Sequence, residues 1–183
     1  MGRAIAENCM LRGAHVTLVN ASVSVEPPMF VDVVNVTSAA DMADVVKSKA
    51  AEQDIIIMTA AVADFCPSHP ADEKIKKNDS SYEAVIELER TEDILSYLGA
   101  HKAKGQLICG FSMETQNMLE NSKAKLAKKN ADMIVANNLK VAGAGFGTDT
   151  NVVTLITADD CTELEIMDKS CVAARIMDRL LQM

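Results

Sequence analysis

The sequence contains no tryptophan, two tyrosines and four phenylalanines among 183 residues. It therefore offers no row of aromatic faces on which successive bases of a single strand would stack. Positive charge is also short, with 18 Lys and Arg against 26 Asp and Glu and a net charge of −8. That balance argues against a protein that coats nucleic acid or lies on an anionic membrane, while one small anion held by a local lysine cluster stays compatible with it. No apolar run reaches the ~18 residues of a membrane span, and the amino terminus lacks the core of a signal peptide. The five cysteines (Cys9, Cys66, Cys109, Cys161, Cys171) are odd in number, widely spaced and free of any C-x-x-C pair. They suggest a reduced, cytoplasmic chain whose thiols serve mostly as small buried residues, with Cys66 alone in a loop near candidate functional residues. His15, His69 and His101 are scattered without metal-ligand spacing, and G-x-S-x-G, P-loop and H-E-x-x-H motifs are missing.

What is present is apolar. Ala, Val, Ile, Leu, Met, Phe, Tyr and Cys make up 49% of the chain, so a sizeable core of aliphatic side chains and 11 methionines is expected. Strand-length apolar segments alternate with helix-length amphipathic ones, which predicts an α/β domain with a mostly parallel sheet. Gly2 to Arg12 reads as a helix stopped by Gly13, followed by strands over His15 to Val19 and Val31 to Val36. Ser38 and Asp41 form a capping box ahead of Ala39, Met42, Ala43, Val46 and Ala50 at helical spacing. Asp54 to Met58, with I-I-I-M, has the continuous apolar run of a central parallel strand. Residues 59 to 79 read as a long loop and Glu83 to Glu89 as a partly exposed strand. Thr91 is the expected cap of a helix with Glu92 and Asp93 in its first turn. A strand over Gln106 to Gly110, a helix over Gln116 to Lys129, a strand over Asp132 to Ala136 and a glycine-rich turn at 143 to 147 follow. A hairpin across Asp159–Asp160 and an amphipathic terminal helix complete the pattern.

In open α/β sheets, ligands bind at the carboxyl ends of strands. After I-I-I-M, the small residues of Thr59-Ala60-Ala61-Val62-Ala63 would let a ligand approach the backbone. Asp64 then suits a hydrogen bond from a ribose or amine, a metal, or a simple turn cap. Lys74, Lys76 and Lys77 would neutralise a polyphosphate, or form a solvated basic loop. Phe111 would pack on a base or sugar, or in the core. Lys125 and Lys129, at i and i+4 on one helix face, would reach one anion or complement the helix carboxyl end. Asn137-Asn138 places two amides where a strand meets the cleft.

The segments A-A-V-A-D-F (60–65), E-K-I-K-K (73–77), G-F-S-M-E-T (110–115), K-L-A-K-K-N-A-D (125–132), V-A-N-N (135–138) and G-F-G-T-D-T-N (145–151) occur in that order. Together they resemble the phosphopantothenoylcysteine synthetase domain, which in many bacteria forms the C-terminal half of a bifunctional coenzyme A biosynthesis flavoprotein. K-I-K-K ten residues after A-A-V-A-D resembles the CTP-using branch. The resemblance implies a Rossmann-like, doubly wound fold with a small β-hairpin dimerisation element, spanning residues 1–183 as one ligase domain. It implies that CTP activates the carboxylate of 4′-phosphopantothenate as an acyl-cytidylate with loss of pyrophosphate, and that cysteine displaces CMP. Mg²⁺ would accompany the triphosphate, and no FMN is expected in this domain. Met58, Thr59, Ala60 and Asp64 would line the nucleotide site, with Glu92, Asp93, Ile94 and Leu95 at a helix start. Phe111, Lys125 and Lys129 would complete it. Lys74 would contact the triphosphate and help in catalysis, and Asn137 would lie near the substrate. Expected partners are 4′-phosphopantothenate, cysteine and CTP, a second copy through residues about 83–89 and the late hairpin, and a decarboxylase domain or protein; neither nucleic acid nor membrane is expected.

One departure bears on activity. The family carries, ahead of its first helix, a strand and an N-H-S-S-G loop whose asparagine holds the acyl-cytidylate, whereas this sequence opens inside that helix. The expectation is a domain lacking its first strand and glycine-rich loop, so a non-catalytic nucleotide-binding remnant or regulatory partner is the alternative. An NAD(P)-dependent dehydrogenase is suggested by fold class alone and finds no dinucleotide fingerprint.

Overall fold

A computed structural model describes residues 1–21, 25–71, 73–74, 85–113, 117–138 and 147–183. Helix α1 (Gly2–Leu11) ends at Gly13, whose φ of 86° suits a residue without Cβ. The parallel strands β1 (Thr17–Asn20) and β2 (Asp32–Asn35) follow. Helix α2 (Ala39–Ala50) opens with the capping box expected of Ser38 and Asp41. The Asp41 amide donates to Ser38 Oγ and the Ser38 amide to Asp41 Oδ2, both at 3.0 Å. The bonds from Ser38 and Thr37 hold the Asp41 carboxyl below the usual carboxylate range. Replacing Ser38 by alanine should cost about 1 kcal/mol, a fall in Tm of about 2–4 °C, and let the Asp41 pKa rise toward its ordinary value by NMR titration.

Strand β3 (Ile55–Met58) leads through the short β4 (Phe65–Pro67) and β5 (Leu88–Arg90), which pair antiparallel, to helix α3 (Ile94–Ala100). The expected long loop thus contains a strand, and the exposed strand is shorter than its alternating pattern. Strand β6 (Leu107–Met113), helix α4 (Met118–Lys128) and strand β7 (Met133–Asn137) come next. Strands β8 (Thr150–Asn151) and β11 (Met167–Asp168) pair with each other, while β9 (Val153–Ile156) and β10 (Cys161–Glu163) form the expected hairpin ahead of helix α5 (Lys169–Leu180).

The largest sheet has the order β10-β9-β7-β6-β3, parallel across β7-β6-β3 and antiparallel at the hairpin end. Alternation along the strands divides the apolar side chains between two cores. Cys109, Met133 and Val135 face α1 and α5, where Val172, Ile176 and Leu180 recur every four residues and are fully buried. Ile108 and Ile134 face α2, α3 and α4. Helices on both faces make this a doubly wound arrangement, and each fully buried aliphatic side chain contributes about 1.5–3 kcal/mol.

Three further expectations are corrected. Strand β3 is an edge strand and only half-buried, because among the described residues its sole strand partner is β6. The cap of α3 is Asp93, which accepts from the Ser96 amide at 3.0 Å, since the Thr91 hydroxyl donates instead to the Ala63 carbonyl. Of the cysteines, Cys161 and Cys171 are exposed, Cys9 and Cys66 half-buried and only Cys109 buried, where burial pushes its thiol pKa well up. Among the described residues, no helix is long and apolar enough to cross a membrane.

Candidate functional site

The carboxyl ends of β3 and β6 open on a pocket of about 230 Å³. Met58 ends β3, and the small residues after it (Ala60, Val62, Ala63) keep one wall low. Asp64 follows on that wall. It is exposed and its carboxylate has no bond to a described residue, so its oxygens are available to a ligand hydroxyl or amine.

The opposite wall is the start of α3: Thr91, Glu92, Asp93, Ile94 and Leu95. Its position depends on a glycine. A Cβ on Gly110 of β6 would lie 2.7 Å from Leu95 Cδ2 and 3.0 Å from Ile134 Cδ1, so the bare backbone there lets α3 settle against the sheet. Glu92 is held by Lys47, whose ammonium donates to Glu92 Oε2 at 2.6 Å.

The floor and the positive charge come from β6 and α4. Phe111 lies within β6 rather than after it, half-buried, with its backbone carbonyl accepting from Lys125 Nζ at 3.0 Å. One turn on, Lys129 caps the carboxyl end of α4, where a cation is favoured by the helix dipole. Its ammonium donates to Asp93 Oδ2, and to Ser96 Oγ at 2.8 Å. The Lys129 side chain is 14% exposed, against 52% for Asp93. Burial works to raise the Asp93 pKa, but the bonds from Lys129 and from Ser96, with the charge on Lys129, outweigh it and hold the carboxyl below its ordinary range.

Met58, Ala60, Asp64, Glu92, Asp93, Ile94, Leu95, Phe111, Lys125 and Lys129 therefore share one lining although they come from four separated stretches of chain. Val62 and Ala63, from the stretch of small residues expected to let a ligand approach, join them, as does Thr91, expected only as a helix cap. Thr59 lines a neighbouring, larger cavity instead. Asn137, at the end of β7, lies outside the lining; its Oδ1 accepts from Asn151 Nδ2 at 2.8 Å and its Nδ2 donates to the Ser112 carbonyl at 3.5 Å. Lys74 is exposed and also outside the lining, while Lys76 and Lys77 fall beyond the described residues, as does most of the glycine-rich turn. Among the described residues, no three His, Cys, Asp or Glu cluster as a metal site.

A pocket of this size, with one aromatic, two lysines and a free carboxylate over small residues, suits part of a nucleotide: a flat base or sugar on Phe111 and phosphate oxygens on Lys125 and Lys129. The sequence model of one family, the DNA/pantothenate metabolism flavoprotein C-terminal domain, matches residues 1–183. The coenzyme A biosynthesis bifunctional protein CoaBC of Bacillus subtilis is 45% identical over 98% of this chain and 44% of its own length. A cysteine/cysteine sulfinic acid decarboxylase of an unidentified prokaryote is 44% identical over 99% of this chain and 50% of its own. The chain thus spans about half the length of these curated relatives. A crystal structure of the C-terminal domain of a CoaBC superposes with a TM-score of 0.81 at 41% identity, covering 98% of this chain and 81% of that one.

Proposed function

Because the chain belongs to the family of DNA/pantothenate metabolism flavoprotein C-terminal domains, we propose that it binds CTP and joins 4′-phosphopantothenate to cysteine in coenzyme A biosynthesis. The observation that carries this reading is the convergence of Asp64, Phe111, Lys125 and Lys129 on one pocket at the strand carboxyl ends. The chemistry asks for such a place. A carboxylate oxygen attacks the α-phosphorus and pyrophosphate leaves; the amine of cysteine then attacks the acyl carbon, loses its proton, and CMP leaves. The first step brings anions together, so cations must offset the repulsion and take up charge as it develops on oxygen. Lys125 and Lys129 are the cations of the pocket, and Lys74 would reach the triphosphate from its exposed segment. Magnesium would enter bound to the triphosphate, as part of the substrate. Asp64 would accept from the sugar, and Asn137 would lie against the acyl substrate.

The domain would work as a homodimer in the cytoplasm, beside a decarboxylase domain or protein. Exposed Phe65, Val85, Ile86 and Leu88 supply an apolar surface for a second copy.

Incubation with CTP, 4′-phosphopantothenate and cysteine, with pyrophosphate and CMP measured, tests the proposal. Release of both products supports the ligase. CTP binding without turnover makes the chain a nucleotide-binding partner, and absence of CTP binding removes the reading. Replacing Lys74 by glutamine should slow activation by at least about tenfold with Tm unchanged, since the side chain is exposed and its loss leaves no cavity.

A further inference from the structure

Asn151 closes the G-F-G-T-D-T-N segment at the end of β8 and stands outside the lining of the nucleotide pocket. It is a polar side chain with only 2% exposure, so its oxygen and its nitrogen must both find partners. Asn151 Oδ1 accepts from the Val152 amide at 3.0 Å, and Nδ2 donates to Asn137 Oδ1 at 2.8 Å. Asn137 Nδ2 in turn donates to the Ser112 carbonyl at 3.5 Å.

The polarity of this relay is fixed at both ends. A side-chain amide can be turned over, exchanging its oxygen and nitrogen, whereas a backbone N–H only donates and a backbone carbonyl only accepts. The Val152 amide sets the oxygen of Asn151 against it, which aims Asn151 Nδ2 at Asn137. The facing atom of Asn137 is then its oxygen, and its nitrogen lies on the side of the Ser112 carbonyl, as that acceptor requires. Turning either amide over alone would set like groups against each other at both of its bonds.

Ser112 gives the relay a firm end. It is 4% exposed, and its hydroxyl is bonded at 2.8 Å to that of Ser122 in α4, which is fully buried. The carbonyl before it, that of Phe111, accepts from Lys125 Nζ at 3.0 Å. Two consecutive carbonyls of β6 thus hold a cation of the nucleotide pocket and the Asn137 amide.

We propose that Asn151 is a positioning residue: it turns the half-buried Asn137 so that Asn137 meets the acyl substrate as a hydrogen-bond donor to a carboxylate or carbonyl oxygen. Asn137 Oδ1 is engaged by Asn151. Nδ2 carries two hydrogens, and among the described residues only the Ser112 carbonyl takes one, across a long contact. A donor of this kind suits an oxygen that bears negative charge. The orientation of Asn137 follows from the bonds alone, while the identity of the ligand rests on the ligase reading.

Asn151→Asp tests this with the shape of the side chain kept. The new carboxylate still accepts from Val152 but has no hydrogen for Asn137. Asn137 should therefore turn over, give Nδ2 to the carboxylate and present Oδ1 where the donor was. By NMR at pH 7, its side-chain amide hydrogens should exchange at least about tenfold more slowly than in the parent. In turnover with CTP and cysteine, KM for 4′-phosphopantothenate should rise at least about tenfold, with KM for CTP within about twofold. Lost packing alone would move both constants and leave the Asn137 amide as it was. Equal exchange in the two proteins overturns the orientation, and a turned amide with an unchanged KM overturns the donor role. Should the buried charge prevent folding, Asn137→Asp keeps the bond from Asn151 and removes the donor. That variant should fold, by circular dichroism, and show the same selective rise in KM; an unchanged KM overturns the proposal. A parent without turnover defeats the ligase reading, while the amide exchange, which needs no ligand, still decides whether Asn151 orients Asn137.

Discussion

Replacing Gly99 by alanine is expected to lower Tm by about 6–12 °C, the opposite of what helix propensity alone gives, where alanine is better by up to ~1 kcal/mol. Gly99 is buried in α3, and a Cβ built on it falls 1.8 Å from the carbonyl oxygen of Lys129 and 2.8 Å from its carbonyl carbon. That neighbour is backbone, so no side chain can swing aside. Forcing α3 and the end of α4 apart costs about 1–3 kcal/mol as overpacking. It also breaks the bond from Asn130 Nδ2 to the Gly99 carbonyl, 2.8 Å long, worth about 1 kcal/mol. A total near 3 kcal/mol at about 2–4 °C per kcal/mol gives the expected shift. Gly105 serves as the comparison. Its φ of 84° penalises alanine, but open space surrounds it, so Gly105→Ala should cost only about 1–2 kcal/mol. Because the obstructing carbonyl belongs to Lys129, Gly99→Ala should also weaken nucleotide binding in calorimetry. A rise in Tm would show that α3 and α4 do not meet as described.

The distance between a pattern and its realisation is clearest at β3. The run I-I-I-M reads as a central strand, and in the sense that periodicity can report, it is one: both faces are covered. Apolar pattern records what lies above and below a strand and is silent about what lies beside it, so the open edge could only come from the fold. The start of α3 shows a second limit. Thr91, Glu92 and Asp93 are all residues that favour a helix amino end. The choice fell to Asp93 because Thr91 is engaged by the Ala63 carbonyl and Lys129 arrives from a helix more than thirty residues on. Local propensity ranks such candidates, and tertiary partners decide among them. Strand β4 escaped notice because three residues ending in proline carry no readable period. By contrast, the capping box of α2 depends only on spacing within one helix, and it stands as read. The pocket was legible where a residue carried charge or an aromatic ring and along the small residues after I-I-I-M, and illegible at Thr91, which reads only as a helix cap.

Lys129 carries the last prediction. Lys129→Met should lower kcat/KM for CTP by at least about a hundredfold, about 2.7 kcal/mol of transition-state stabilisation, with a smaller loss of stability. The methionine keeps most of the side-chain volume and removes the charge that both an incoming phosphate and Asp93 require. The loss would appear in KM and kcat together if the ammonium contacts the triphosphate before and during activation. Lys123, exposed on the same helix and outside the pocket lining, controls for net charge: Lys123→Met makes the protein equally more negative and should leave turnover within about twofold. A pH series separates the structural part of the effect. The Asp93 carboxyl is held below its unfolded value near 3.9, so the stability it contributes is present above that pH and is lost as pH falls through the lower, folded value. The Tm difference between the parent and Lys129→Met should therefore be full at pH 6–7 and shrink below about pH 4 as Asp93 protonates in both. A Tm difference constant from pH 7 to pH 3 would mean that the ion pair with Asp93 does not form in solution. Unchanged CTP kinetics in the folded variant would remove Lys129 from the nucleotide site.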